Sequence, residues 1–356
     1  MAYLFAAGLL TLAFCMVTFN NWLNQPLVLA EETVVRINAG DTLSKLSYQL
    51  EKDNMLTQPR WLILYARFTK QTGLEVGEYK LPEQVTPKLL LETLRNGDVI
   101  NYSVTLIEGK TFKDFMLVLS EQAHLERTLA GKSFDEVIKQ LQLDIKHPEG
   151  WFYPDTYQYV AGSSDADILL RAHNKMQKVL NEQWLKRAKD LPYKNVYEAL
   201  IMASIIEKET GVAYERPEIS GVFIRRLQKG MRLQTDPTII YGLGDSYKGN
   251  IRRRHLTQKT PYNTYVIDGL PPTPIAMPAS AAIKAALNPA AGKTLFFVAK
   301  GDGSHQFSET LAQHNKAVQE YQINNKANNY RSSPIKLIVW LKLIIKREDK
   351  CKKESL

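Results

Sequence analysis

The chain has 356 residues, 44% apolar and 23% charged, which is enough for two or three domains with ordinary cores. Its net charge of +9 invites a nucleic-acid partner. Nine Lys and Arg against three acids fall in residues 326–356, however, so the body is nearly balanced and nucleic-acid binding is set aside. Only two cysteines, Cys15 and Cys351, and six histidines without metal-ligand spacing exclude a disulfide scaffold and a recognisable metal motif; His305 and His314 read as solvated or core-satisfied imidazoles. No phosphate loop is present either, since GLGDSYKG at 242–249 lacks the GK[ST] ending, and no cofactor is expected.

Ala2 to Phe19 is an uncharged apolar run of 18 residues, followed by Trp22, and the first charge is Glu31. The run reaches the lower bound for a membrane-spanning helix, with Trp22 as an interfacial anchor. Val28-Leu29-Ala30 offers a small-residue cleavage site as the alternative. The run is long for a signal peptide, so an uncleaved anchor over residues 1–22 is expected.

Residues 30–101 read as a small α+β module. VVRINAG alternates as a strand, and Asp41-Thr42-Leu43-Ser44 starts a helix with an acidic cap and an apolar face of Leu43, Leu46 and Leu50. A helix from Pro59 to Lys70, a strand at GEYKL and a helix from Pro87 to Arg95 follow. GDTLSKLSYQL resembles the opening of a LysM module, a class that binds N-acetylglucosamine-containing glycans.

Residues 102–325 are expected to be helix-rich with short strands. YSVTLIE reads as a strand, with helices at 111–122, 132–143, 164–187, 192–208 and 219–229. A compact strand at 295–299, a GDGSHQF turn, a second short strand and a closing helix at 308–324 end the domain. GLPPTPIAMP must run extended, and is expected on the surface. The fold class is thus α+β: an N-terminal anchor, a small module, a helix-rich domain and a basic tail over 326–356.

The chemistry points to LIMASIIEKET, Leu200 to Thr210. At about 100° per residue, Met202, Ile205, Ile206 and Glu209 share one face, whereas Glu207 points the other way. Glu209 therefore joins the core-facing stripe, where desolvation favours the neutral acid and raises its pKa. A general acid at neutral pH is made this way. Upstream, EGWFYPDTY packs four aromatics around two acids, the composition of a sugar-stacking cleft.

In order, EGWFYPDTY, ASIIEKET, MRLQTDPTIIYG, PYNTY, GLPPTPIAMP and LFFVAKGDGSHQFSETLAQHN resemble the signature series of the endolytic murein transglycosylases, the YceG-like or MltG family. The resemblance covers about residues 30–325 and implies that Glu209 is the catalytic acid. It implies further that Gln234, Thr235 and Asp236, and Tyr262 with Asn263, line the glycan groove. The Tyr-Asn pair is also similar to that of goose-lysozyme-like lytic enzymes.

The implied reaction uses one carboxylate, where ordinary glycosidases use two. Neutral Glu209 protonates the oxygen linking N-acetylmuramic acid to N-acetylglucosamine, then takes the proton of the muramoyl C6 hydroxyl as that hydroxyl attacks C1. A 1,6-anhydro end results, with no water consumed. The implied partners are peptidoglycan strands, peptidoglycan synthases and the membrane, with the catalytic domain periplasmic on the inner membrane. Two rivals stand beside this reading: a non-catalytic peptidoglycan-binding scaffold, and a hydrolytic muramidase using Asp236 or Glu215 as a second carboxylate.

Overall fold

The uncharged opening of the chain forms one helix, α1 (Ala2–Asn24), in a computed structural model that describes residues 1–27, 29 and 33–324. The basic tail at 326–356, Cys351, and Val28 and Ala30 of the candidate cleavage site lie outside the described residues. By length and composition α1 can cross a membrane, with a mean hydropathy of 1.7. Only its last turns are covered, where Trp22 and Leu23 are buried and the Trp22 indole donates to the carbonyl and hydroxyl oxygens of Thr57, each at 3.1 Å.

Two compact units divide the chain. The first comprises Met1–Val104, Leu119–Ala130 and Thr156–Ile168. In it β1 (Val34–Ile37) pairs antiparallel with β2 (Gly77–Lys80), with Val34 opposite Lys80 and Ile37 opposite Gly77. Between them run α2 (Leu43–Lys52) and α3 (Pro59–Phe68), and α4 (Pro87–Asn96) follows.

Leu43, Leu46 and Leu50 are buried as their spacing requires, but the cap of α2 is Thr42, whose hydroxyl accepts the Lys45 N–H at 3.2 Å. Asp41 instead accepts the Asn38 N–H at 2.8 Å and pairs with the Lys45 ammonium. β3 (Asn101–Thr105) pairs with β4 (Thr156–Val160) across a long stretch of chain. That pairing draws Thr156–Ile168 into the first unit, so no single cut at 101/102 separates the units.

After β3 come α5 (Phe112–Ser120), α6 (Phe134–Gln140), α7 (Asp165–Leu185), α8 (Val196–Glu209), α9 (Arg216–Gln228), α10 (Asp236–Leu243), α11 (Arg253–Thr257) and α12 (Ser280–Leu287). The hairpin of β5 (Phe296–Ala299) and β6 (His305–Ser308) follows, and α13 (Leu311–Val318) closes with a π-helical turn, Gln319–Asn324. MRLQT, at 231–235, is an irregular stretch that leads into α10.

The core of the second unit is built around α8, which is buried on all sides from Ala199 to Glu207 and packs chiefly on α12 and α9. α12 is absent from the sequence expectations: its face of Ala282, Ile283, Ala285, Ala286 and Leu287 follows a run of prolines and carries one charge, Lys284. The Pro-rich segment before it is not on the surface. Ile275, Ala276 and Met277 are fully buried.

An extended segment can be buried there because prolines present no N–H to satisfy. The N–H groups that remain find Ser204 Oγ (Ile275, 3.0 Å), the Lys110 carbonyl (Met277, 2.8 Å) and Glu207 Oε2 (Ala279, 3.1 Å). Gly150 packs against this segment at φ 85°, and a Cβ there would lie 2.5 Å from the Pro274 ring.

Candidate active site

Glu209 is the last residue of α8, and Thr210 turns the chain into extended backbone. The expectation that Glu207 points away from the core does not hold. Glu207 is 6% exposed, lies 3.5 Å from the Arg216 guanidinium and accepts the Ala279 N–H. A helix sheathed on every side has no solvent face, so periodicity alone cannot separate the two acids. Their partners do: Glu207 faces a cation, and Glu209 faces a cavity.

That cavity has a volume of about 890 Å³ and is lined by Glu209, Gln234, Thr235, Asp236, Tyr265 and His305 among others. Glu209 is half-buried and accepts a hydrogen bond from the Thr235 hydroxyl. Burial pushes its carboxyl up to about 7; the Thr235 bond opposes the shift and the neighbouring Asp236 charge adds to it. A carboxyl poised at this value can both give and take a proton near neutrality.

The stretch of wall that carries Thr235 is held by hydrogen bonds to backbone groups. Gln234 sits at φ 54°, a left-handed conformation uncommon for a residue with a side chain. Its N–H donates to the Thr264 carbonyl at 3.1 Å, and the Thr235 N–H donates to Thr264 Oγ1 at 3.0 Å. Buried Arg226 donates to the carbonyls of Leu233 (2.9 Å), Arg232 (3.1 Å) and Leu295 (2.7 Å), and to the Gln234 amide oxygen at 3.3 Å. Asp236 opens α10 and accepts the Tyr265 hydroxyl at 2.7 Å.

Of the residues expected in the groove, Gln234, Thr235 and Asp236 meet Glu209 at the cavity, whereas Tyr262 and Asn263 are not in its lining. The Tyr262 hydroxyl shares a hydrogen bond with Thr273 at 2.9 Å and its ring lies edge-on to Tyr241. Asn263 is buried, its amide donating to the carbonyls of Gln258 (2.7 Å) and His255 (3.0 Å) and its oxygen accepting the Tyr265 N–H at 3.0 Å. The pair shapes the loop that delivers Thr264 and Tyr265.

EGWFYPDTY does not line the cavity either. Phe152 is fully buried against Phe112, and Trp151 stacks on Tyr197 at 5.7 Å. Glu149 is 3% exposed and accepts the Phe112 N–H at 3.0 Å and the Tyr241 hydroxyl at 3.1 Å.

Two residues of the site, Tyr265 and Arg226, escape the sequence reading, and His305, read as a solvated or core-satisfied imidazole, is a buried one in the cavity lining. The second tyrosine of YNTY was the available signal for Tyr265. His305 is buried beside Glu215, whose carboxylate takes the His305 N–H at 2.9 Å and meets Nδ1 at 2.8 Å. Glu215 is thereby committed to His305, which fixes that imidazole in the cavity wall.

The sequence pattern of the YceG-like family matches residues 35–320. The chain belongs to the YceG-like family. Among its relatives, an endolytic murein transglycosylase of Bacillus subtilis (strain 168) is 29% identical over 316 residues, covering 83% of this chain and 87% of that protein. One from Streptococcus pneumoniae (strain D39) is 26% identical over 329 residues, and the match spans 83% of this chain but 59% of the relative. The crystal structure of a YceG-like protein from Listeria monocytogenes is 30% identical with a TM-score of 0.52, over 80% of this chain and 98% of that one. The YceG-like span takes in the whole constellation of Glu209, Gln234, Thr235, Asp236, Tyr265 and His305, and most of the β1–α4 module.

Proposed function

We propose that this chain is an endolytic lytic transglycosylase of peptidoglycan in which Glu209 is the single acid–base catalyst. The observation that carries the reading is a half-buried carboxyl, raised to about 7, opening onto a cavity large enough for sugar rings. Protonated Glu209 gives its proton to the glycosidic oxygen between N-acetylmuramic acid and N-acetylglucosamine, and the C1–O bond breaks. Its carboxylate then takes the proton of the muramoyl C6 hydroxyl as C6–O bonds to C1.

The intramolecular attack has the advantage of high effective molarity. Thr235 orients the Glu209 carboxyl, Gln234 and Asp236 offer amide and carboxylate partners for sugar hydroxyls, and His305 contacts the glycan from the same wall.

Digestion of uncrosslinked glycan strands in oxygen-18 water tests this. Unlabelled 1,6-anhydromuramoyl ends are expected from internal cuts. Label at new reducing ends would mean hydrolysis, and would favour Asp236, which lines the same cavity, as a second carboxylate.

The anchor reading places α1 across the bacterial inner membrane, uncleaved, with the catalytic unit on the periplasmic side, where nascent strands leave the synthases. Its support is the burial of Trp22 and Leu23 among the apolar residues of the β1–α4 module, which a cut after Ala30 would remove. The LysM-like opening of that module assigns it a share of glycan affinity. Cleavage of peptidoglycan by the parent but not by Glu209→Gln, with binding kept by both, would separate this enzyme from a scaffold.

A further inference from the structure

α3 carries two apolar faces. Pro59, Leu62 and Ala66 are buried in the module. At about 100° per residue, Trp61, Leu64, Tyr65 and Phe68 fall on the other side within an arc of roughly 100°. Leu64 is 49% and Phe68 81% exposed, while Trp61 and Tyr65 are half-buried. Exposed Arg60 and Arg67 lie along the Leu64 edge of this stripe.

The stripe is continuous with the end of α1. The Phe19 ring lies 5.5 Å from Trp61 and 6.3 Å from Tyr65, and Trp22 lies 5.5 Å from Trp61. Beyond Phe19 toward the N-terminus α1 is exposed and apolar, including Leu10 and Phe14. A helix of about 22 residues rises roughly 33 Å, close to the hydrocarbon thickness of a bilayer. If α1 spans, Phe19 and Trp22 stand where acyl chains give way to headgroups, and α3 stands beside them at that depth.

We propose that α3 lies in the headgroup layer of the membrane crossed by α1, with Trp61, Leu64, Tyr65 and Phe68 against the acyl chains and Arg60 and Arg67 at lipid phosphates. Aromatic residues concentrate at this level, and helices with an apolar stripe flanked by Arg bind there. The partner is a lipid surface because the stripe begins on residues packed against the anchor itself. The inference rests on the anchor reading. It adds a second attachment, which fixes how the module is held at the membrane.

Full-length protein carrying Cys15→Ser and Cys351→Ser, with one new cysteine at Leu10, Tyr48, Leu64 or Phe68, is spin-labelled and reconstituted into phosphatidylcholine–phosphatidylglycerol vesicles. Collision of the label with oxygen and with a water-soluble nickel chelate is then measured. Labels at 10, 64 and 68 are expected to show an oxygen-to-nickel ratio several-fold above that at 48 on α2. A shielded 10 with 64 and 68 matching 48 would overturn the proposal and leave the anchor standing; a water-exposed 10 would overturn the anchor. Shielding of 64 and 68 from both reagents would overturn the lipid contact in favour of a protein contact.

Discussion

The end of α8 and the segment around Glu149 each hold a carboxyl out of water, but they surround it differently. Glu149 meets an N–H and a tyrosine hydroxyl and is 3% exposed; burial pushes it up to about 8, against the pull of those two bonds. Glu209 meets one hydroxyl and a cavity, and burial pushes it up to about 7. Desolvation thus raises an enclosed carboxyl at one place and a carboxyl that opens onto a cavity at the other. The difference lies in access: only Glu209 has room for a substrate oxygen.

The comparison breaks first at Glu209. Glu209→Gln keeps the shape and loses the transferable proton, so cleavage of glycan strands is expected to fall by roughly 10²–10⁴-fold, the usual contribution of general acid–base catalysis. Glycan binding should persist. Because the folded carboxyl is raised above its unfolded value of about 4.3, it disfavours folding once pH exceeds that value. Thermal melts of Glu209→Gln at pH 8 should therefore match or exceed the parent; a large loss would make Glu209 structural.

Glu207, two residues away, is expected to behave in the opposite sense. Glu207→Ala leaves Arg216 buried without its carboxylate and the Ala279 N–H without an acceptor, at a cost of about 3–5 kcal/mol. Denaturant titration measures it. Arg216→Met in the Glu207→Ala background should recover part of the loss, and no recovery would mean that the pair is not the source.

Glu149→Gln should act on the pH dependence of stability rather than on activity. The folded value of about 8 lies above the unfolded one, so the folded state binds the extra proton and stability falls as pH rises from about 4.3 to about 8. The melting temperature of the parent should drop over this range. Glu149→Gln, which has no proton to lose, should drop less, and equal slopes would refute the assignment.

These contrasts also show where the sequence was readable. The helix at Leu43, Leu46 and Leu50 and the β1 strand follow from period and turn signals, because each has one wet face and one dry one. α8 has no wet face from Ala199 to Glu207, so the same arithmetic misplaces Glu207, and for Glu209 it needs the motif order beside it. The aromatics of EGWFYPDTY suit a sugar cleft or a core equally well, and composition cannot choose between them. Likewise the choice between Tyr262 and Tyr265 depends on an irregular loop whose course is set by Asn263 bonding backbone carbonyls, a contact with no period to read.

The smallest expected effect tests how Asp236 tunes Glu209. Asp236 raises the Glu209 value through like charge, and the Tyr265 hydroxyl partly satisfies Asp236. The proposed reaction requires the protonated acid, so the alkaline limb of the pH–rate profile is expected to follow the Glu209 value of about 7. Asp236→Asn removes the charge and should move that limb to lower pH. Tyr265→Phe removes the donor and leaves the Asp236 charge less compensated, so the limb should move to higher pH, with a several-fold loss of rate. Both shifts should be about one pH unit or less. Opposite directions for the two variants are the signature of a charge acting on Glu209; a common direction, or a loss of rate with no movement of the limb, would mean that Asp236 and Tyr265 serve only to contact the glycan.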